Sequence, residues 1–203
     1  MGRGTCKLLI ATTNQGKFSE IANLLAGCPL DLVSLEDVGI SDEAEETGST
    51  FEHNAVLKAQ TYHRLSRLPT LADDSGIEVE ALDGKPGVLS SRFAGRNATD
   101  SDNIDLLLEK LVDVPNNRLS ARFRCVIAIA WASKQVQTFT GNCRGMITRA
   151  PRGENGFGYD PIFYIPSLDK TIAELLPEEK HLISHRGMAA HKAVQWLQER
   201  TSS

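Results

Sequence analysis

The hydrophobic pattern opens with the apolar run Leu8-Leu9-Ile10-Ala11, which predicts a short strand, followed by a polar turn from Thr12 to Gly16. Phe18, Ile21, Leu24 and Leu25 then recur at helical spacing until Pro29, and Leu30 to Ser34 predicts a second short strand. Glu36 to Ser49 is acidic and poor in large apolar residues, the pattern of a surface loop. Thr50 is placed to cap a helix whose apolar face is Phe51, Ala55, Ala59, Tyr62 and Leu65, with Pro69 ending the segment.

Leu71-Ala72 predicts a strand that runs into Asp73-Asp74-Ser75-Gly76, and Ile77 to Leu82 a second, alternating one before the turn Asp83 to Gly87. Ile104, Leu107, Leu108 and Leu111 mark another amphipathic helix. Ala121 to Trp131 is the strongest strand signal, alternating at first and then apolar without a break from Cys125. Such a strand is covered on both faces and belongs near the middle of a sheet. Val136 to Gly141 and Cys143 to Ile147 supply antiparallel neighbours. The expected fold is therefore α/β, a mixed sheet flanked by helices. Thr171 to Glu174 has the form of a capping box, and a last helix runs from near Ser184 to about Arg200.

Length adds that the 203 residues suit one domain, 1–203, with room for two lobes. The 41% hydrophobic and 24% charged content is that of a globular protein. A net charge of -4 argues against binding long nucleic acid, which needs many cationic side chains on phosphates. A local cationic pocket for a small anion is compatible with it. The first apolar run is too short for a secretory signal or a membrane span, so no membrane association and a cytoplasmic location are expected. Cys6, Cys28, Cys125 and Cys143 are scattered and read as core thiols. His181 and His185 stand four apart but lack a carboxylate at a spacing that would complete a zinc site.

The candidate chemistry begins with Thr12, Thr13, Asn14, Gln15, Gly16 and Lys17. A polar loop between strand and helix suits phosphate through helix N-terminal amides and the Lys17 charge. It is not a P-loop, because Phe18 stands where Ser or Thr is required, and an ordinary polar turn is the alternative. Lys58 falls in the middle of the apolar face of its helix, where its ammonium needs a carboxylate or a bound anion unless it snorkels to water. Glu46, Asp73 and Asp74 can balance it. Alternation along a strand would send the two adjacent aspartates to different sides, and magnesium, which favours carboxylate, water and phosphate oxygens, would relieve their repulsion. A plain turn is the other reading of Asp73 to Gly76. Phe157, Gly158, Tyr159 and Asp160 combine aromatic faces with a carboxylate, suited to a base. Ser184-His185-Arg186 opens the last helix with donors, and Lys180 in the preceding loop can join them.

Together these segments resemble the ITP/XTP pyrophosphatase family of RdgB-like enzymes. The resemblance spans nearly the whole chain. It is carried by Thr12 to Lys17, Glu46-Thr47-Gly48, Thr50-Phe51, Asn54-Ala55 through Lys58-Ala59, Ala72 to Gly76, Pro86-Gly87, Ser91 to Gly95, Phe157 to Phe163 and Ser184-His185-Arg186. It implies a homodimer and an elongated mixed sheet in two lobes with a central cleft for the nucleotide. Thr12 to Lys17 and Lys58 would hold the triphosphate, and Glu46 and Asp74 the Mg2+. Asp74 would also serve as general base, with Ser75 touching substrate, while Phe157 to Asp160, Lys180, His185 and Arg186 form the base pocket. Asp73 is a second candidate carboxylate. The pattern departs at His53, where the family carries Glu, and Glu52 is displaced by about 100° around the helix and does not replace it. The implied activity is hydrolysis of ITP, dITP and XTP to the monophosphate and pyrophosphate, with 6-keto purines preferred over adenine. The rivals are a Maf-like pyrophosphatase of other base preference, a non-catalytic nucleotide-binding module, and a phosphatase releasing orthophosphate.

Overall fold

The computed structural model describes residues 6–132 and 135–201. In chain order its elements are β1 (Cys6–Ile10), α1 (Gln15–Leu24), β2 (Leu30–Val33), α2 (Phe51–Ser66), β3 (Thr70–Val79), α3 (Asp100–Lys110), β4 (Ser120–Ala132), β5 (Gln135–Ile147), β6 (Phe163–Ile165), β7 (Lys170–Thr171), α4 (Pro177–Ile183) and α5 (His185–Thr201). The strands form one seven-stranded sheet in the order β2-β1-β3-β4-β5-β6-β7. β1 pairs in parallel with β2 and β3, and β6 pairs antiparallel with β5 and β7, so the sheet is mixed as the pattern predicts. β4 is its middle strand, and Cys125 to Ala130 are buried without interruption.

The chain divides into two compact units. The first comprises Met1–Asp74, Cys125–Gly141 and Arg186–Ser203, and the second Ser75–Arg124 and Asn142–His185. Each has its own core. In the first, Leu8, Ile10, Ile21, Leu71, Ile127 and Ile129 pack with Leu197 and with Ala189, Ala190 and Ala193, small residues that let α5 lie close to its neighbours. In the second, Ile77 and Val79 pack with Leu107, Leu111, Phe123, Ile162 and Phe163.

Three local expectations are corrected. Asp73 to Gly76 is not a turn between two strands but the interior of β3, which runs unbroken until a 3-10 turn at Glu80–Leu82. The two runs flanking Asn142 are likewise one strand, β5. Lys180 lies in α4 rather than in a loop, a short helix that Pro177 opens and the Glu179 carboxylate caps by accepting from the Leu176 N–H at 2.8 Å.

Candidate functional site

In the first unit, the turn after β1 is held by its own side chains. Thr12 Oγ1 accepts from the Asn14 N–H at 3.2 Å, and Asn14, the N-cap of α1, accepts from the Lys17 N–H at 2.9 Å. Thr13, Asn14 and Gln15 are exposed, and the half-buried Lys17 reaches back from the first turn of α1 to Asp73 Oδ2 at 3.3 Å.

β3 presents Asp73 and Asp74, both buried, and alternation gives them separate partners. Asp74 Oδ1 accepts from Lys58 Nζ at 3.2 Å, and its Oδ2 accepts from Asn54 Nδ2 at 3.1 Å. Lys58 Nζ also donates to Glu46 Oε1 at 2.5 Å. The lysine is therefore where the helical pattern puts it, on the apolar face of α2, with its side chain 12% exposed and its charge shared by two carboxylates. Asp73 Oδ2 meets Lys17 and Arg186 Nη2, each at 3.3 Å.

Burial drives the charge states here. It pushes the Asp74 carboxyl above the ordinary aspartate range, a rise that the Lys58 and Lys17 ammoniums only partly offset. For Lys58 the balance goes the other way. Burial alone would lower its pKa, but Asp74, Glu46 and Asp73 outweigh it and hold the ammonium above its usual value. The Cys125 thiol, 4.0 Å from Asp73 Oδ2, is pushed up to about 12 by burial, which keeps it a neutral core thiol.

Arg186, which the resemblance places in the base pocket, has its guanidinium between two carboxylates: Nη1 donates to Glu20 Oε2 at 2.5 Å and Nη2 to Asp73. Burial opposes its charge, yet Asp73 and Glu20 overcompensate and hold its pKa above the ordinary arginine value. Glu20 is absent from the sequence-based candidates. A signal for it does exist, since it follows Lys17 by three residues and so shares a face of α1.

The His53 departure has a local consequence. Thr50 still caps α2, accepting from the His53 N–H at 3.1 Å, but exposed His53 has no carboxylate to return the bond. The neighbouring Glu52 carboxylate instead accepts from Thr138 Oγ1 at 3.1 Å.

In the second unit, the loop from Phe157 to Asp160 closes on itself. Asp160 Oδ2 accepts from the Phe157 N–H at 3.0 Å and from Lys180 Nζ at 2.6 Å, and that ammonium lies 4.9 Å from the Phe157 ring centroid. Gly156 permits this turn, because its φ is +79° and a Cβ would come within 2.1 Å of Asp160 Oδ2. The Gly158 N–H donates to Asp100 Oδ2 at 2.6 Å, and buried Tyr159 donates its hydroxyl to the Ser90 carbonyl at 2.9 Å. His185 is buried, its ring stacked on Phe123 with centroids 4.7 Å apart and planes 12° apart. Ser75, half-buried in β3, begins this unit.

The sequence-predicted residues thus fall into two groups. In the first unit they make two neighbouring sets of ion pairs, Glu46–Lys58–Asp74 and Lys17–Asp73–Arg186, rooted on the adjacent aspartates of β3. Phe157, Asp160 and Lys180 form a cluster in the second, which also carries the stacked His185. Among the described residues no three His, Cys, Asp or Glu side chains gather as a metal cage. Glu46 and Asp74 nevertheless converge on one positive charge, the Lys58 ammonium, which shows that two carboxylate oxygens can face a single cation. That donor set fits a hard divalent ion that completes its shell with water and a ligand's oxygens.

Fold and site define an α/β protein with a buried centre of carboxylates and ammoniums, suited to an anion together with a hard cation. Residues 8–196 match the model of the Ham1 family, and the chain belongs to that family. It is 46% identical over 189 residues to the dITP/XTP pyrophosphatase of Halalkalibacterium halodurans, covering 93% of this chain and 97% of the relative. Identity to the dITP/XTP pyrophosphatase of Shigella flexneri is 49% over 185 residues, covering 90% and 93%. A HAM1 protein from Coxiella burnetii has the same fold, with a TM-score of 0.87, 43% identity, and coverage of 96% of this chain and 99% of that one. No helix among the described residues is long and apolar enough to cross a membrane.

Proposed function

We propose that this chain hydrolyses non-standard purine nucleoside triphosphates, dITP, ITP and XTP, to the monophosphate and pyrophosphate, clearing them from the nucleotide pool. The observation that carries the reading is the ion-pair chain Glu46–Lys58–Asp74 beside Lys17–Asp73, an alternation of charges in which ammoniums can turn from carboxylates to phosphates. The family's curated relatives named for this reaction support it.

Lys17, the Thr12 to Gly16 turn and Lys58 hold the triphosphate, the turn through the N-terminal end of α1 and the lysines through charge. Glu46 and Asp74 would hold Mg2+, which would supply positive charge against the phosphate oxygens. Asp74 takes the proton of the water that attacks the α-phosphorus. Burial suits it to that role, since a carboxylate of raised pKa is a stronger base than an ordinary one. Arg186 pairs with Asp73 opposite Lys17 and is assigned to the phosphate end. His185, Lys180 and the Phe157 to Asp160 loop read the base, with Phe157 as the stacking face and donors meeting a 6-keto oxygen. The 6-amino group of adenine would set donor against donor. Ser75 touches substrate next to the base catalyst.

The chain works as one domain, since β3, β4 and β5 each contribute residues to both units, and it pairs as a homodimer in this reading. The test is product analysis with dITP, ITP, XTP, GTP and ATP, with and without Mg2+. Magnesium-dependent pyrophosphate release from the first three, with ATP spared, is expected. Orthophosphate release would point to a phosphatase, and binding without turnover to a non-catalytic module.

A further inference from the structure

We propose that one face of α2 fixes the Glu46 arm by matching its own rise to that of an extended chain, with Asn54 and Tyr62 as positioning residues; the inference rests on the proposed metal role of Glu46 and Asp74. Three contacts join the helix to the arm. The Gly48 N–H donates to Asn54 Oδ1 at 2.7 Å, Lys58 Nζ donates to Glu46 Oε1 at 2.5 Å, and the Ala44 N–H donates to the Tyr62 hydroxyl oxygen at 3.0 Å. The helix residues advance by four while the arm residues retreat by two.

Four helical residues rise about 6 Å. Two residues of extended chain span about 6.6 Å. The near equality lets the arm run antiparallel to α2 with every second residue over a turn of the helix, although residues 41–48 form neither helix nor sheet ladder. Glu46 lies between the two anchors, so its carboxylate is aimed by contacts on both sides of it in the chain.

Asn54 carries a second duty. It is fully buried, and its Nδ2 donates to Asp74 Oδ2 at 3.1 Å while its Oδ1 receives the arm. Only this amide orientation gives the arm's N–H an acceptor and the carboxylate a donor. One side chain therefore sets the distance between the two carboxylates proposed to share a cation. Gly48 belongs to the device, because a Cβ there would lie 2.6 Å from Asn54 Oδ1 and 2.8 Å from the His53 ring. Tyr62, 3% exposed, brings its hydroxyl to the arm while its ring stays buried.

Two readouts on the full-length protein test this: hydrogen exchange of the residue 44–48 amides, and Mn2+ affinity without nucleotide, Mn2+ being a visible probe that takes the same oxygen ligands. In Tyr62→Phe, Asn54→Leu and Gly48→Ala the arm amides should exchange faster, and Mn2+ should bind roughly tenfold or more weakly in Asn54→Leu. Tyr62→Phe keeps the buried ring and so serves if Asn54→Leu does not fold. Wild-type exchange in Tyr62→Phe and Gly48→Ala would overturn the register. Wild-type Mn2+ affinity in folded Asn54→Leu would overturn the positioning role while leaving the proposed function standing. If Glu46→Gln binds Mn2+ as tightly as the wild type, the metal reading itself fails, and the exchange data still decide whether α2 holds the arm.

Discussion

As the proposed general base, Asp74 combines two demands on such a group, a nearby place for positive charge and a raised proton affinity, and both come from where β3 puts it. Its replacement by Asn keeps the shape and an oxygen for Asn54, but it removes the proton acceptor, takes one carboxylate from the proposed Mg2+ pair and turns an amide NH2 toward the Lys58 ammonium. At saturating Mg2+, turnover of dITP should fall by roughly a hundred- to ten-thousand-fold, as steady-state kinetics would show. The sign of the pH effect follows from burial. The base works only when ionised and burial disfavours that form, so kcat/KM should rise with pH along a limb lying above 3.8, the ordinary aspartate value. Raising the Mg2+ concentration should move that limb toward lower pH, because a nearby cation favours the carboxylate. Lys58 was legible in the sequence, since a lysine in the middle of an apolar helical face has to be paired. The destination of Arg186 was not, because its partners Glu20 and Asp73 lie 166 and 113 positions away and no local pattern reports them. The pairing makes a distinct prediction. Arg186→Met leaves Asp73 buried without its guanidinium, and urea denaturation should show a loss of about 3–5 kcal/mol. A residue that only touched a base would lose substrate affinity and little stability.

At the scale of elements, the hydrophobic period placed α1, α2, α3 and α5 and the buried middle strand β4. It divided β3 in two, because Asp-Asp-Ser-Gly has turn composition, and the strand persists only because its polar side chains find buried partners. It missed α4, a helix of seven residues, too short to show a period. Gly76, inside β3, illustrates how tightly that strand is packed. A Cβ there would lie 2.3 Å from Ser90 Oγ and 2.5 Å from the Gly87 carbonyl oxygen. Gly76→Ala should therefore destabilise the protein by about 1–3 kcal/mol, measurable by thermal or urea unfolding. The Ser90 hydroxyl accepts from the Ile77 N–H at 2.9 Å, so the strain would fall on a contact that fastens the strand just past Asp74 and Ser75.

At the scale of the whole molecule, the mixed sheet and family were both legible, the first from alternation and uninterrupted apolar runs, the second from several short motifs in one order. Less legible was the sorting of functional residues. The ion pairs of Lys17, Lys58, Asp73, Asp74 and Arg186 belong to one compact unit, and the Phe157, Asp160, Lys180 and His185 contacts to the other, each with a separate core. Sequence order interleaves the two, since residues 125–141 and 186–203 return to the unit that residues 1–74 begin. The measurement that tests the account most directly is hydrolysis of dITP in oxygen-18 water with mass analysis of both products. Attack at the α-phosphorus predicts one labelled oxygen in the monophosphate and none in the pyrophosphate. Label in pyrophosphate, or in released orthophosphate, would place the attack elsewhere and contradict it.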